Sequence, residues 1–112
     1  MNGMTGEYNP HEAIQFIWDW SPKLAAAKGE LAQLEAFKSS LKAILMTQSQ
    51  STTIAGKEME ALASSEYQTH CDAIGRATAD VEKLRWQLEA AKMRFEAWRP
   101  EPATKRQLDR MI

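Results

Sequence analysis

The residues best suited to chemistry in this chain of 112 residues lie close together, at Glu66, His70 and Cys71. Glu66 and His70 are one helical turn apart, a spacing at which two side chains can share a metal ion. Two ligands do not complete a zinc site, however, because such sites use at least three protein ligands. His70 and Cys71 are consecutive, so on a helix their side chains diverge by about 100° and make a poor base and nucleophile pair. We therefore interpret His70 as a partly exposed or hydrogen-bonded packing residue and Cys71 as a buried, unreactive thiol.

Motifs that support catalysis or cofactor binding are absent from the sequence. It contains no Cys-x-x-Cys, no His-Glu-x-x-His, no phosphate-binding glycine loop and no Gly-x-Ser-x-Gly. We therefore expect a protein that is not an enzyme and that holds no metal or cofactor. The single cysteine excludes an internal disulfide, and the sequence contains neither a secretory signal nor an apolar stretch of about 18 residues. The expected location is the cytoplasm, without insertion into a membrane.

The net charge of −1 conceals a gradient along the chain. Residues 1–20 carry three acids and no Lys or Arg, whereas residues 83–112 carry eight bases and four acids. A basic end with Trp98 nearby could follow a phosphate backbone and stack on a base. Its acids weaken that hypothesis, and nucleic-acid sites usually occupy a larger basic surface. Nucleic-acid binding is therefore the alternative function, with these candidate contacts: Arg94, Arg99, Lys105, Arg106 and Arg110.

The composition predicts an all-α protein, because strong helix formers dominate and Gly and Pro are few. Asn9 and Pro10 suit the N-cap and the first position of a helix, and Ser21-Pro22 repeats this signal, so the chain should break or kink there. The predicted organisation is a leader (1–8), a single helical domain (9–99) with helix A (10–20), helix B (22–46) and helix C (53–98), and a basic tail (100–112).

Apolar residues recur at spacings of three, four and seven along helices B and C, which predicts a coiled-coil-like seam. The polar segment TQSQSTT, residues 47–53, is the predicted turn, so the helices form a long antiparallel hairpin. The seam of helix B is Leu24, Ala27, Leu31, Leu34, Leu41 and Leu45, widened by Phe37 and Ile44. The seam of helix C is Tyr67, His70, Ile74, Ala77, Val81, Leu84, Leu88, Ala91, Phe95 and Trp98.

A count from the turn predicts which residues of the two helices face each other. Positions that sum to about 101 should be neighbours, which places residues 25–29 opposite residues 71–75. The small residues of the two segments would then face each other: Ala25, Ala26, Ala27 and Gly29 opposite Cys71, Ala73 and Gly75. Small residues facing each other allow close helix approach, which would explain the glycines within helices at a cost of about 1 kcal/mol each.

Helix C, with about 46 residues or 69 Å, should extend past helix B, with about 25 residues or 38 Å. The overhang is residues 80–98. On one flank, three pairs of an acid and a base are spaced i to i+3, namely Glu82 with Arg85, Glu89 with Lys92 and Glu96 with Arg99. Across the helix from the seam, a second apolar stripe consists of Trp86, Ala90, Met93 and Ala97.

Two apolar sides on one helix require two neighbours. Helix A, which is also apolar on more than one side, can supply one of them. The other would be a second copy of the chain or a different protein, and a homo-oligomer is the first hypothesis, since interfaces are rich in aromatic anchors. The predicted association surface consists of Trp18, Trp20, Leu84, Trp86, Leu88, Met93, Phe95 and Trp98.

The order of these features resembles that of small, mostly uncharacterised helical proteins of tailed bacteriophages. The shared segments are HEAIQFI, FKSSLKAILM, EMEALASSEY and LRWQLEAAKMRFEAWR, within about residues 12–106. The resemblance implies an early-region product from a neighbourhood of recombination and replication functions, without assigned catalytic residues. It also implies a protein that acts by binding a phage or host protein in the host cytoplasm, either as an accessory to recombination or as an inhibitor of a host protein.

Overall fold

A computed structural model describes residues 9–98, which fold into a helical hairpin. Helix α1 spans Pro10–Thr47, α2 spans Ile54–Ala63 and α3 spans Ser65–Trp98, and no described residue lies in a strand. The predicted all-α hairpin is therefore confirmed. The predicted leader (1–8) and basic tail (100–112) lie outside the described residues.

Helices A and B form one continuous helix, α1, so of the two predicted alternatives at residues 21–22, a break or a kink, the break is wrong. The N-cap is as predicted, since the backbone N–H of His11 donates to Asn9 Oδ1 at 2.9 Å. Pro22 lies inside the helix and removes one backbone donor. Its side chain is exposed, so water can reach the carbonyl that loses its partner. The packing of α1 against α3 on both sides of Pro22 outweighs the free-energy cost of this lost hydrogen bond.

Helix C is not continuous, because the chain leaves the helical conformation at Ser64 (φ −66°, ψ 151°). Ser64 Oγ accepts a hydrogen bond from the backbone N–H of Tyr67 at 3.2 Å and donates to the carbonyl of Ala61 at 2.8 Å. The Gln68 side chain donates to the Leu62 carbonyl at 2.9 Å. One serine thus satisfies orphan groups of α2 and of α3, which offsets the lost helical bonds.

The turn lies where TQSQSTT predicts it. Thr53 caps α2, accepting from the backbone N–H of Gly56 at 3.0 Å. Lys42 of α1 makes an ion pair of 2.9 Å with Glu58 of α2. A buried apolar cluster lies beside this turn and joins all three helices. It consists of Leu45, Ala61 and Tyr67, with Leu41, Met46 and Cys71 packed against them.

The predicted seam is largely confirmed, because its residues are buried or half-buried where α1 packs against α3. Three predicted members lie further outside: Phe37, Ile44 and Trp98 are each 45% or 46% exposed. The seam is therefore narrower than the sequence pattern suggests.

The predicted register between the helices is wrong, because residues of α1 and α3 that contact each other have position sums above 101. His70 Nε2 lies 2.7 Å from the Leu34 carbonyl oxygen, so these positions sum to 104, and the rings of Phe37 and His70 pack 5.7 Å apart, which gives 107. A Cβ added to Gly29 or Gly75 would meet nothing within 4 Å. The glycines face open space rather than an opposing helix. The count from the turn failed because α2 and the break at Ser64 lie between the turn and α3.

The continuous α1 also removes the predicted overhang. It has 38 residues, or about 57 Å, and α3 has 34, or about 51 Å. Leu88 of α3 and Ala13 of α1 are both buried in this part of the hairpin. The first third of α1 therefore covers one side of residues 80–98, as expected of helix A.

The glycines provide a test of this register. Gly29→Ala and Gly75→Ala should each raise the free energy of unfolding by about 0.8 kcal/mol, because alanine is the better helix former and space is free. Gly56→Ala should lower it, because the new Cβ would meet Ser51 Oγ, which accepts from the Thr53 N–H at 3.3 Å. Urea unfolding followed by circular dichroism measures both effects. Destabilisation by Gly29→Ala would contradict the observed register.

The cap at Ser64 predicts a difference in stability between variants of two neighbouring serines. Ser64→Ala should lower the free energy of unfolding by about 1 kcal/mol, because the N–H of Tyr67 loses its acceptor. Ser65→Ala is the matched control, since the Ser65 hydroxyl contacts only the exposed Glu66 carboxylate at 3.5 Å. Equal losses in the two variants would show that the cap contributes nothing specific.

Candidate interaction surface

Three residues of the predicted association surface are used within the chain. Leu88 is 7% exposed and belongs to the hairpin core, so its predicted role in an outer surface is wrong. Leu84 and Phe95 are half-buried on the same seam. These side chains turn toward α1, which packs alongside α3.

The outer stripe of α3, Trp86, Ala90, Met93 and Ala97, is exposed along its whole length. Trp86 and Met93 are each 57% exposed. Trp86 lies about 160° around the helix from the buried Leu88, so α1 cannot reach it. The guanidinium of Arg85 stands 4.8 Å from the centre of the Trp86 ring and covers part of it. The predicted second stripe is therefore present and uncovered within one chain.

The two tryptophans of α1 have different environments. Trp18 is 78% exposed. Trp20 is half-buried, with its ring stacked on Phe16 at 5.3 Å and Lys23 Nζ 3.9 Å from the ring centre. Trp18 lies about 140° around α1 from the buried Ala13, on the side away from α3. Trp18 and the outer stripe thus lie on opposite sides of the hairpin, and the predicted set does not form one surface.

One side of the hairpin, the ion-pair face, carries the predicted column of charges. Glu82 pairs with Arg85 at 2.6 Å and Glu89 with Lys92 at 3.4 Å, which confirms two of the three predicted pairs. The third involves Arg99, outside the described residues. The hydrogen bond from Arg85 lowers the pKa of Glu82, with a smaller contribution from the charge of Lys28 on α1. The same bond raises the pKa of Arg85.

The opposite side of the hairpin is the groove face. A shallow groove of 340 Å³ runs between α1 and α3 there. Its lining combines small, apolar and charged side chains: Glu30, Leu34, Ala73, Arg76, Ala77 and Asp80. Lys28 and Glu82 of the ion-pair face lie about 160° around their helices from Glu30 and Asp80, which separates the two faces.

His70 and Cys71 have packing roles, whereas Glu66 is exposed. His70 is hydrogen-bonded to the Leu34 carbonyl and its ring lies edge-on to Phe37, in agreement with the predicted packing role. Cys71 is half-buried against the cluster beside the turn. Within residues 9–98, no three His, Cys, Asp or Glu side chains are grouped so that they could hold a metal ion.

The basic end is described only in part. Arg94 lies on the exposed surface of α3. The other candidate nucleic-acid contacts, Arg99, Lys105, Arg106 and Arg110, lie outside the described residues. None of the described helices has the length and apolarity needed to cross a membrane.

Comparisons with protein-family models, with curated proteins and with solved structures find no match to this chain. The resemblance to small phage proteins therefore stays a prediction. Function has to be inferred from the exposed surfaces of the hairpin.

The Glu82–Arg85 pair predicts a pH dependence. Because the pKa of Glu82 is lowered in the folded chain, the pair stabilises the fold at pH values above the ordinary value of 4.5 and loses this effect as the pH falls through the lowered pKa. Glu82→Gln should therefore reduce the unfolding midpoint at pH 7 and have a smaller effect at an acidic pH below the lowered pKa.

Arg85→Met serves as the partner control, and the double variant should lose no more than either single one. Thermal unfolding at several pH values measures the unfolding midpoint of the wild type and of each variant. A Glu82→Gln effect of equal size at both pH values would contradict the pairing.

Proposed function

We propose that this protein acts without catalysis, by binding another protein through the outer stripe of α3. The observation that carries the proposal is the exposure of Trp86 and Met93, two large apolar side chains two turns apart on the side away from α1. Covering each side chain fully would contribute about 1.5–3 kcal/mol. Tryptophan is also among the residues that dominate binding energy at interfaces.

The spacing of the stripe indicates how a partner would dock. Residues 86, 90, 93 and 97 stand at i, i+4, i+7 and i+11, which is the anchor pattern of a helix that lies in an apolar groove. Large and small side chains alternate along it, so a partner can receive Trp86 and Met93 in pockets and approach the backbone at Ala90 and Ala97. The expected partner is therefore a protein with a hydrophobic groove about two to three turns long.

The biological setting of the proposal rests on the resemblance to small phage proteins. In that setting the partner is a phage or host protein, and the chain works in the host cytoplasm as a recombination accessory or as an inhibitor of a host protein. Both roles require only a stable binding surface, in keeping with a hairpin whose outer stripe is exposed to solvent.

Capture experiments with matched variants test the proposal. The tagged full chain should retain a specific protein from host or infected cells, and purified partner should bind it with a negative heat-capacity change, as expected for apolar burial. Trp86→Glu/Met93→Glu should raise the Kd about 100-fold or more, because both anchors are lost.

The control is Ile54→Glu/Met59→Glu, which changes two even more exposed apolar residues on α2. It should retain the wild-type affinity. Equal loss in both double variants, or none in either, would contradict binding by the outer stripe.

A titration with labelled single-stranded DNA distinguishes nucleic-acid binding, the alternative function, from binding of a protein. Contacts made by the basic end to phosphates would weaken steeply as salt rises. We expect no such binding. Tight, salt-dependent binding that survives Trp86→Glu/Met93→Glu would favour the nucleic-acid function instead.

A further inference from the structure

We propose that a second copy of this chain packs antiparallel on the groove face and completes a four-helix bundle. This inference concerns a different surface from the outer stripe and does not rest on the proposed function. It also replaces the prediction that the chain self-associates through residues 80–98, since the seam of that segment is already covered by α1.

Helical periodicity shows which side chains share the groove face. Phe16 precedes Leu34 by 18 residues, or about five turns, and Leu84 follows Ala77 by seven, or about two turns, so both lie on this side. Leu34, Leu41, Phe16 and Leu84 are half-buried, while Phe37 and Ile44 are 46% and 45% exposed. The face is thus apolar near both ends of the hairpin, with the groove and its charges between them.

A single layer of two helices leaves this face uncovered. Among residues 9–98 only six side chains are buried, and none of them is polar. Most seam residues are only half-buried although they lie between the helices. Stable domains consist of at least two packed layers around a core, and a second hairpin is the standard means by which two antiparallel helices become a bundle.

The charges on the groove face favour an identical copy as the second layer. Lys23 lies seven residues, or about two turns, before Glu30, so both lie on this face. Their midpoint is position 26.5, and the midpoint of α1 (Pro10–Thr47) is 28.5. A two-fold axis at position 26.5, two residues from the middle of α1, brings Lys23 of each copy opposite Glu30 of the other. Such an isologous contact gives two identical ion pairs.

The same two-fold axis also brings together the apolar ends of the two groove faces. Positions of α1 that sum to about 53 become neighbours, as Lys23 and Glu30 do, and this places Phe37 of one copy opposite Phe16 of the other. The ion-pair face offers no comparable match, because its Glu82 and Glu89 already pair within the chain. Charge and apolar complementarity between two copies therefore favours the groove face over the ion-pair face.

The area of the groove face is sufficient for a stable dimer. The face is as long as α3, about 51 Å, and two helices wide, about 20 Å, which gives roughly 1,000 Å² on each copy. Stable interfaces bury about 800 Å² on each partner. The groove face therefore exceeds the requirement without any contribution from the outer stripe.

Light scattering and sedimentation of the full chain test this proposal. The wild type should have twice the 12.7 kDa mass of one chain. Phe37→Glu/Ile44→Glu should give a helical monomer, because four buried apolar side chains in the dimer become charged. Trp86→Glu/Met93→Glu should remain a dimer. A wild-type monomer, a larger assembly, or a dimer lost only in the Trp86 and Met93 variant would overturn the proposal.

A charge reversal decides the arrangement and remains informative if Phe37→Glu/Ile44→Glu fails to fold. Lys23→Glu and Glu30→Lys should each raise the dimer Kd about tenfold, since each places two like-charged pairs across the interface. The double variant Lys23→Glu/Glu30→Lys should return to within about threefold of the wild type, because opposite charges meet again. Additive weakening in the double variant would exclude the antiparallel two-fold contact.

Discussion

The contact between α1 and α3 along nearly their full length is the constraint on which the rest of this molecule depends. Helices of 38 and 34 residues gain most of their stability from packing an apolar side, not from intrinsic propensity. Here α1 and α3 are each other's main neighbours. Every turn of each helix must therefore place a side chain in the seam between them. This explains why α1 continues through Pro22. A break there would leave Leu84, Leu88 and Phe95 without a neighbour.

The register of that contact is set at the turn. Leu45, Ala61 and Tyr67 bring one residue from each helix into the same cluster, and the Ser64 cap fixes the angle at which α3 leaves α2. Because α3 starts from this point, the register determines the orientation of residues far away. A shift of three residues would rotate α3 by about 60° relative to α1 and would bring different side chains to the groove face.

The sequence predicts the parts of this structure that depend on helical period alone. The seam from Leu24 to Phe95, the outer stripe at Trp86 and two ion pairs follow from spacing, because a helix repeats every 3.6 residues whatever it packs against. The continuity at Pro22 and the break at Ser64 could not be derived in this way. Both depend on competition between a local cap and packing by a distant segment, and Ser-Ser-Glu at 64–66 was a signal of the cap that the seam pattern obscured.

The arrangement of surfaces around α3 allows two kinds of contact on one short chain. Leu84 lies toward the groove face, Arg85 toward the ion-pair face and Trp86 directly outward, because successive residues turn by about 100°. A second hairpin on the groove face would bury the first of these and leave the other two in solvent. A dimer would then carry two outer stripes on the same side of its bundle, because α3 of one copy lies over α3 of the other. Binding of a partner at one stripe requires no rearrangement of the seam, so assembly and recognition can be separated by mutation.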